Sequence, residues 1–555
     1  MLSFVVFQGE SPGAGFPLRH AFLVGPDGIG LGVDVALRDD GLIVCQLPER
    51  ASAGLSLQVP IDELAGAGGA SVSRPLGTLS LRTCLLPPRE RPYLLSLELA
   101  RHRIMLFLNK LEDWALFELG PDDPIMLQFE RARQTFTQAL VAERSGPSNS
   151  TAGGHTKDAD RLAWQALALA IDAGEQLAVR DASRDIGPRL SGQTYGDAVE
   201  AYVHASGERP PPNVPIIVQN SLGVTLPGRP VIGCEVSPAR FSEALQRYVA
   251  ASCDFVTLPM RWVDMEPSEG EYSFAGTDRW IEWAVRKARL PVYAGPVIDF
   301  RPADVPDWIY IWENDYETLR ELVYEHVKAI VTRYRRTVSR WTVASGLHVN
   351  TNFRMSYEQI MDLTRLCVLL VKKLQPTAKV QVEIDQPWGE HYAVSRQSIP
   401  PTLYADTVSQ AGIPADAYAV RLKMGIPERG CSARDLMELS SILDRYAALE
   451  RPIMVTACAV PSEPAQAAAD KADLEPGYWR ERWSERVQAA WLANVAAIAL
   501  AKPFVHGLCW AELADPPGAP ASTGLVSAAG TPKPALERLA GIRTALAEAR
   551  PWPTA

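Results

Sequence analysis

Hydrophobic positions along this chain change rhythm twice. Up to about residue 95 they come as short runs, Phe4–Phe7, Ala21–Val24, Leu42–Leu47 and Leu55–Val59, separated by Gly, Pro and Asp. Strands at that spacing predict a small β-sandwich. This first module carries little Trp, packing accounts for its apolar residues, and a structural role is expected. From Leu95 the period lengthens. Leu97, Ile104, Leu108, Leu111, Trp114 and Phe117 fit one helix reaching about Leu119. Asp122 and Asp123, with Pro124 in the first turn, open a second helix carrying Met126, Phe129, Phe136 and Leu140. Ser145 to Gly154 is a polar break rich in Gly, Ser and Pro, and a third helix follows over roughly Ala159 to Val179. Helices joined this closely pack as a hairpin or small bundle. Residues 183–212, ending in Arg209-Pro210-Pro211-Pro212, read as a linker.

From Pro230 onward strand and helix alternate to the end. Candidate strands are Val231–Glu235, Phe255–Met260, Val292–Ile298, Arg340–Ala344, Lys379–Ile384, Ala417–Lys423, Pro452–Cys458 and Val505–Trp510. Helical stretches lie between them at about 239–251, 278–288, 316–334, 357–373, 402–411, 433–447, 482–501 and 533–549, with Asp278 as an expected N-cap. Eight strands each followed by a helix is the count of a (β/α)8 barrel. A doubly wound sheet is the alternative, but no GxGxxG follows the first strand. The expected organisation is therefore a β-rich module at 1–95, a helical hairpin at 96–182, a linker at 183–212 and an α/β (β/α)8 TIM barrel at 213–550. Loops after the strands are long and Trp-rich, as the active face of such a barrel would be.

Composition narrows the partners. The 555 residues are 47% hydrophobic and 22% charged, the balance of a globular protein. A net charge of −10 argues against nucleic acid or an anionic membrane as the main partner. Cysteines 45, 84, 234, 253, 367, 431, 458 and 509 are scattered without a CxxC pair, which predicts reduced, structural thiols and no metal site. The N-terminus lacks a basic region followed by an apolar one, and no run reaches a membrane span, so a cytoplasmic protein without a cofactor is expected.

The barrel segment resembles family-10 glycoside hydrolases, the retaining xylanase family. Met260-Arg261-Trp262 with Glu266-Pro267-Ser268-Glu269-Gly270 is similar to the family's motif after its second strand. Pro306-Asp307-Trp308 looks like the P-x-W after the third, and Arg340-Trp341-Thr342-Val343-Ala344 takes the place of W-D-V-V-N-E on the fourth. Arg451-Pro452-Ile453-Met454-Val455-Thr456 sits where the seventh strand has I-T-E-L-D, and Trp510 and Asp515 parallel the eighth-strand tryptophan and aspartate. Gly524-Leu525-Val526 with Gly530-Thr531-Pro532-Lys533-Pro534-Ala535 matches the closing motif.

The resemblance implies hydrolysis by two carboxyls about 5 Å apart, a nucleophile and an acid/base. Continued in register, it places Gly346 at the acid/base and Ala457 at the nucleophile. No Glu lies within two residues of either. The family's other polar positions are replaced as well, by Thr257-Leu258, Pro296, Phe300 and Leu422-Lys423-Met424. The reaction of the family is therefore not expected at those positions. Asp299, Asp385 and Glu512 at strand ends are tentative substitutes, with Glu383 beside them and Arg421 or His348 tuning them. Candidate ligand-binding residues are Arg261, Trp262, Trp308, His348, Asn350, Arg421, Lys423 and Trp510. Trp312, Trp388 and Trp479 also lie near strand ends, whereas Trp280, Trp283, Trp483 and Trp491 stand at helical spacing and are expected in the core. Three functions stay open: a catalytically degenerate barrel that binds a carbohydrate at its mouth, a hydrolase with relocated carboxylates, and a structural protein that assembles as a homo-oligomer through the hairpin.

Overall fold

The computed structural model describes residues 1–8, 11–13, 15–47, 51–66, 74–144, 154–210, 216–217, 224–225, 229–465, 474–518, 521–550 and 552. The N-terminal module contributes β1 (Leu2–Val5), β2 (Arg19–Val24), β3 (Val35–Leu37), β4 (Leu42–Cys45), β5 (Gly54–Pro60) and β6 (Gly77–Arg82). They form two small sheets. One runs Tyr93–Leu94, β1, β4, β3; the other runs Tyr478–Trp479, β6, β5, β2, Gly30–Leu31. The second sheet is thus completed by a strand from the far C-terminal half, with Tyr478 opposite Thr78.

Helices α1 (Leu95–Asp113), α2 (Pro124–Arg144), α3 (Lys157–Ser191) and α4 (Gln193–Ser206) follow. Asp123 accepts the N–H of Ile125 and opens α2, and Thr156 caps α3 through the N–H of Ala159. The expected linker from residue 183 is helical as far as Ser206. Tertiary packing carries α3 onward: Ala182 and Ile186 are buried, and Arg189 donates to the carbonyls of Leu500 and Val505. The polar break at 145–154, apart from Gly154, and the linker's last residues, 211–212, lie outside the described residues.

The remaining chain closes a barrel of eight parallel strands. These are β7 (Val231–Glu235), β8 (Phe255–Leu258), β9 (Val292–Ala294, resumed at Ile298–Asp299), β10 (Val338–Ser345), β11 (Lys379–Ile384), β12 (Ala417–Lys423), β13 (Ile453–Ala459) and β14 (Val505–Trp510). Each pairs in parallel with its neighbours, and β7 meets β14 to close the ring. Around it stand α5 (Glu243–Ser252), α6 (Ala275–Glu282), α7 (Tyr316–Tyr334), α8 (Tyr357–Leu374), α9 (Pro401–Gln410), α10 (Leu436–Ala447), α11 (Glu485–Ala501) and α12 (Pro534–Glu548). Ser242, Asp315, Asp435 and Ser484 cap α5, α7, α10 and α11, and Ser356 with Gln359 forms a capping box on α8. Asp278 falls inside α6 and instead accepts the hydroxyl of Tyr334 at 2.8 Å.

One hydrophobic core runs through the module, the hairpin and the barrel. Helix α3 packs on α1 and α2 on one side and on α10 and α11 of the barrel on the other. Trp280, Trp283, Trp483 and Trp491 are buried. All eight cysteines are free. Among the described residues no helix is long and apolar enough to cross a membrane.

Candidate functional site

The C-terminal mouth of the barrel is crossed by a chain of alternating charges. Arg261, after β8, holds Asp304 at 2.6 Å. Asp304 also pairs with Arg301 at 2.9 Å, and Arg301 pairs with Asp299 at 2.8 Å. Asp299 closes the third strand and lies 3.6 Å from Arg421 on β12. Arg421 in turn reaches Glu383, on β11, at 3.7 Å and Asp385, just after it, at 3.9 Å. The line thus runs from the loop after β8 to β11 with each sign facing the other.

Burial is what makes this arrangement matter. Arg421, Asp299 and Glu383 are almost fully out of water. A charge so placed is costly unless paired and hydrogen-bonded. Glu383 also accepts the Ser345 hydroxyl from β10, at 2.7 Å, and the Thr456 hydroxyl from β13. One carboxylate therefore ties four adjacent strands, β10 to β13, at the mouth. Burial raises the Asp299 carboxyl above the usual range, against the pull of Arg301 and Arg421. Burial opposes ionisation of Asp385 too, yet Arg421 and Arg301 hold it below the usual range.

Beside this line stand Glu235 at the end of β7, Lys423 at the end of β12 and Glu512 after β14, each only partly buried. Burial pushes the Glu235 carboxyl up to about 8, with Lys423 and Arg421 opposing the shift and Glu512 and Glu383 reinforcing it. At neutral pH Glu235 is therefore mostly protonated. Glu512 accepts the Thr523 hydroxyl at 2.8 Å. Of the tentative carboxylates, Asp299 and Asp385 come together on Arg421, while Glu512 lies nearer Glu235.

The positions that the resemblance reserves for catalysis have their own geometry. Gly346 has φ +60, and a Cβ built on it would stand 3.3 Å from the Cβ of Asp385. Ala457 has φ +45, where the pairing of β13 with both neighbours slips register. That slip is a bulge, and it leaves Thr456 directed at Glu383.

The other candidate ligand residues are placed as follows. Trp262 is buried, donates to Glu266 at 2.9 Å and stacks on His326 at 4.2 Å. Trp510 is buried against Trp491 and donates to the Thr523 carbonyl. His348 is fully buried on Tyr404 and bonds the Asp385 carbonyl; burial, with His391 beside it, pushes its imidazole down to about 3. Asn350 binds the backbone of Met355 and Gln397. Trp308 is half-buried, packed edge-on to Trp262, with its N–H on the Glu266 carbonyl. Arg261 is partly exposed and paired with Asp304 and Asp264. Trp388 is half-buried under the Arg434 guanidinium, and Trp479 is buried and donates to Glu175. The aromatic residues named at strand ends are thus largely committed to packing, and the polar ones hold the mouth.

Sequence reading did not single out Glu235, Arg301, Asp304 or Thr456. A usable signal existed for one of them: Glu235 is a lone carboxylate closing an otherwise apolar strand.

Residues 226–360 match the model of glycosyl hydrolase family 10. This stretch spans β7 to β10, so the Gly346 position lies inside the match and the Ala457 position beyond it. Among solved structures the chain is similar to xylanase 10B from Thermotoga petrophila RKU-1, crystallised with xylobiose. There the identity is 15%, covering 56% of this chain and 94% of that one, with a TM-score of 0.43. Native xylanase 10B from Thermotoga maritima is 16% identical over 58% of this chain and 97% of that one, with a TM-score of 0.42. A thermostable mutant of a xylanase from Cellvibrio japonicus is 15% identical over 56% and 98%, with a TM-score of 0.42. The first four strands of the barrel are thus similar in sequence to glycosyl hydrolase family 10.

Proposed function

We propose that the barrel binds a neutral carbohydrate at its C-terminal mouth and has lost the hydrolytic reaction of the fold. The observation that carries this reading is the commitment of the mouth's carboxylates to Arg421 and Arg301, beside a glycine and an alanine where the acid/base and nucleophile would stand. A retaining glycosidase needs one free nucleophilic carboxylate and one protonated partner across the scissile bond. Asp299, Glu383 and Asp385 instead surround a guanidinium. Alternating guanidinium and carboxylate groups still suit sugar hydroxyls, which accept from the one and donate to the other.

Calorimetric titration with xylo-oligosaccharides, with product analysis on the same samples, tests this. Saturable heat without cleaved product supports it. Absence of heat removes xylan-type ligands, and cleavage removes the claim of lost hydrolysis. A second reading, a hydrolase with relocated carboxylates, is favoured by Glu235, whose raised carboxyl has the protonation state of a general acid at neutral pH. Under that reading Glu235→Gln abolishes whatever cleavage the wild type shows.

A further inference from the structure

A second concave site lies at the opposite end of the barrel, where the strands begin. Val231, Tyr293, Arg340, Lys379, Met454 and His506 sit near the starts of β7, β9, β10, β11, β13 and β14 and line a cavity of about 1150 Å3. Among the described residues its cationic lining is Arg189, Arg229, Arg340, Lys372, Lys379 and Arg451, against the carboxylates of Asp416 and Glu450. In a chain of net charge −10 this is a local reversal of sign.

Part of the positive charge is structural. Arg189 is held by backbone carbonyls, and Arg229 lies 3.5 Å from Asp254. Asp416 is occupied by Lys372 at 2.6 Å, by Lys379 at 3.7 Å and by the N–H of Val380. Two guanidinium groups remain. Among the described residues neither Arg340 nor Arg451 forms an ion pair. Arg340 lies over the Tyr293 ring at 5.3 Å, reaches Gln381 at 3.3 Å, and keeps a buried Nε without a partner. Arg451 is exposed. Nε2 of His506 is likewise buried without a partner. Burial first, then Arg340, Arg189 and Lys379, push the His506 imidazole down to about 3, so this side chain registers the positive potential of the cavity.

We propose that this end of the barrel is an anion site for a phosphorylated small molecule, with Arg340 and Arg451 as its principal phosphate-binding groups. Guanidinium groups bind phosphate oxygens through paired N–H donors, and several cations around one concave site favour a ligand with more than one phosphate. The site is separate from the mouth and does not depend on the carbohydrate reading.

The test is calorimetry on the full chain with inorganic tripolyphosphate as the probe and orthophosphate as the comparison, at low and moderate salt. The expected result is saturable tripolyphosphate binding that outcompetes orthophosphate and weakens with salt. Arg340→Gln and Arg451→Glu each weaken it about tenfold or more, the effect of one charge-assisted contact. Arg429→Glu, exposed in the loop after β12 at the opposite, C-terminal mouth, leaves it unchanged. Because Arg451 is exposed, its variant keeps the wild-type melting curve and separates lost binding from lost folding. Absence of saturable binding to the wild type, or wild-type affinity in both cavity variants, overturns the proposal.

Discussion

A Cβ at position 346 would stand 3.3 Å from the Cβ of Asp385, on a backbone already in the left-handed region. The position that the resemblance assigns to an acid/base is therefore crowded by the side chain that follows β11. Restoring the family's residues is expected to fail. The double variant Gly346→Glu with Ala457→Glu should show no gain in release of reducing sugar from xylan. Its stability should fall, because a non-glycine residue in that conformation costs about 1–2 kcal/mol before the contact with Asp385 is counted. Xylanase activity in the variant would refute this account of the site.

Arg421 is the countercharge shared by Asp299, Glu383 and Asp385. Replacing it by Met leaves buried carboxylates facing one another, a change that typically costs about 3–5 kcal/mol. Urea unfolding at pH 7 should show a loss of that order. The deficit should shrink in acid, as the unpaired carboxyls protonate. A loss independent of pH would mean that packing, not charge, explains the role of Arg421.

Glu235 carries a pH signature of opposite sign to that of a salt-bridged carboxylate. Its folded carboxyl is raised to about 8, so between the ordinary carboxyl range and about 8 the folded state binds a proton that the unfolded state has released. Stability from this group is present below the ordinary range and is lost as pH rises through about 8. Burial sets the shift, Lys423 and Arg421 oppose it, and Glu512 and Glu383 add to it. Glu235→Gln should therefore melt at a higher temperature than wild type above pH 8, with little difference near pH 4. Equal melting temperatures across that range would exclude the shift.

Glu266 anchors the loop after β8 rather than reacting with anything. It is buried, and it accepts N–H groups from Trp262 at 2.9 Å, Gly270 at 2.9 Å and His326 at 3.0 Å. Glu266→Ala strands buried donors and should cost about 3–5 kcal/mol in denaturant unfolding. Glu269→Ala, three residues away and exposed, should stay within about 0.5 kcal/mol of wild type.

Local pattern was enough for the barrel. Eight apolar runs of strand length, each followed by a helix with an apolar stripe, admit few other packings, and the closed ring from β7 to β14 follows. The end of α3 was not legible. Residues 183–191 are too polar to demand a helix; burial of Ile186, Arg184 on the Trp114 carbonyl and Arg189 on the carbonyls of Leu500 and Val505 hold them in one. Nor could spacing tell which aromatic rings face solvent. Trp262 and Trp510 occupy strand-end positions, yet Glu266 and the Thr523 carbonyl draw their N–H groups inward. The charge line from Arg261 to Glu383 was invisible for the same reason. Its members come from four separate segments, and electrostatic pairing depends on distance and burial, which closure of the barrel alone supplies. Sequence thus determined the fold; tertiary structure decided which charges meet, because only burial turns a solvated residue into a partnered one.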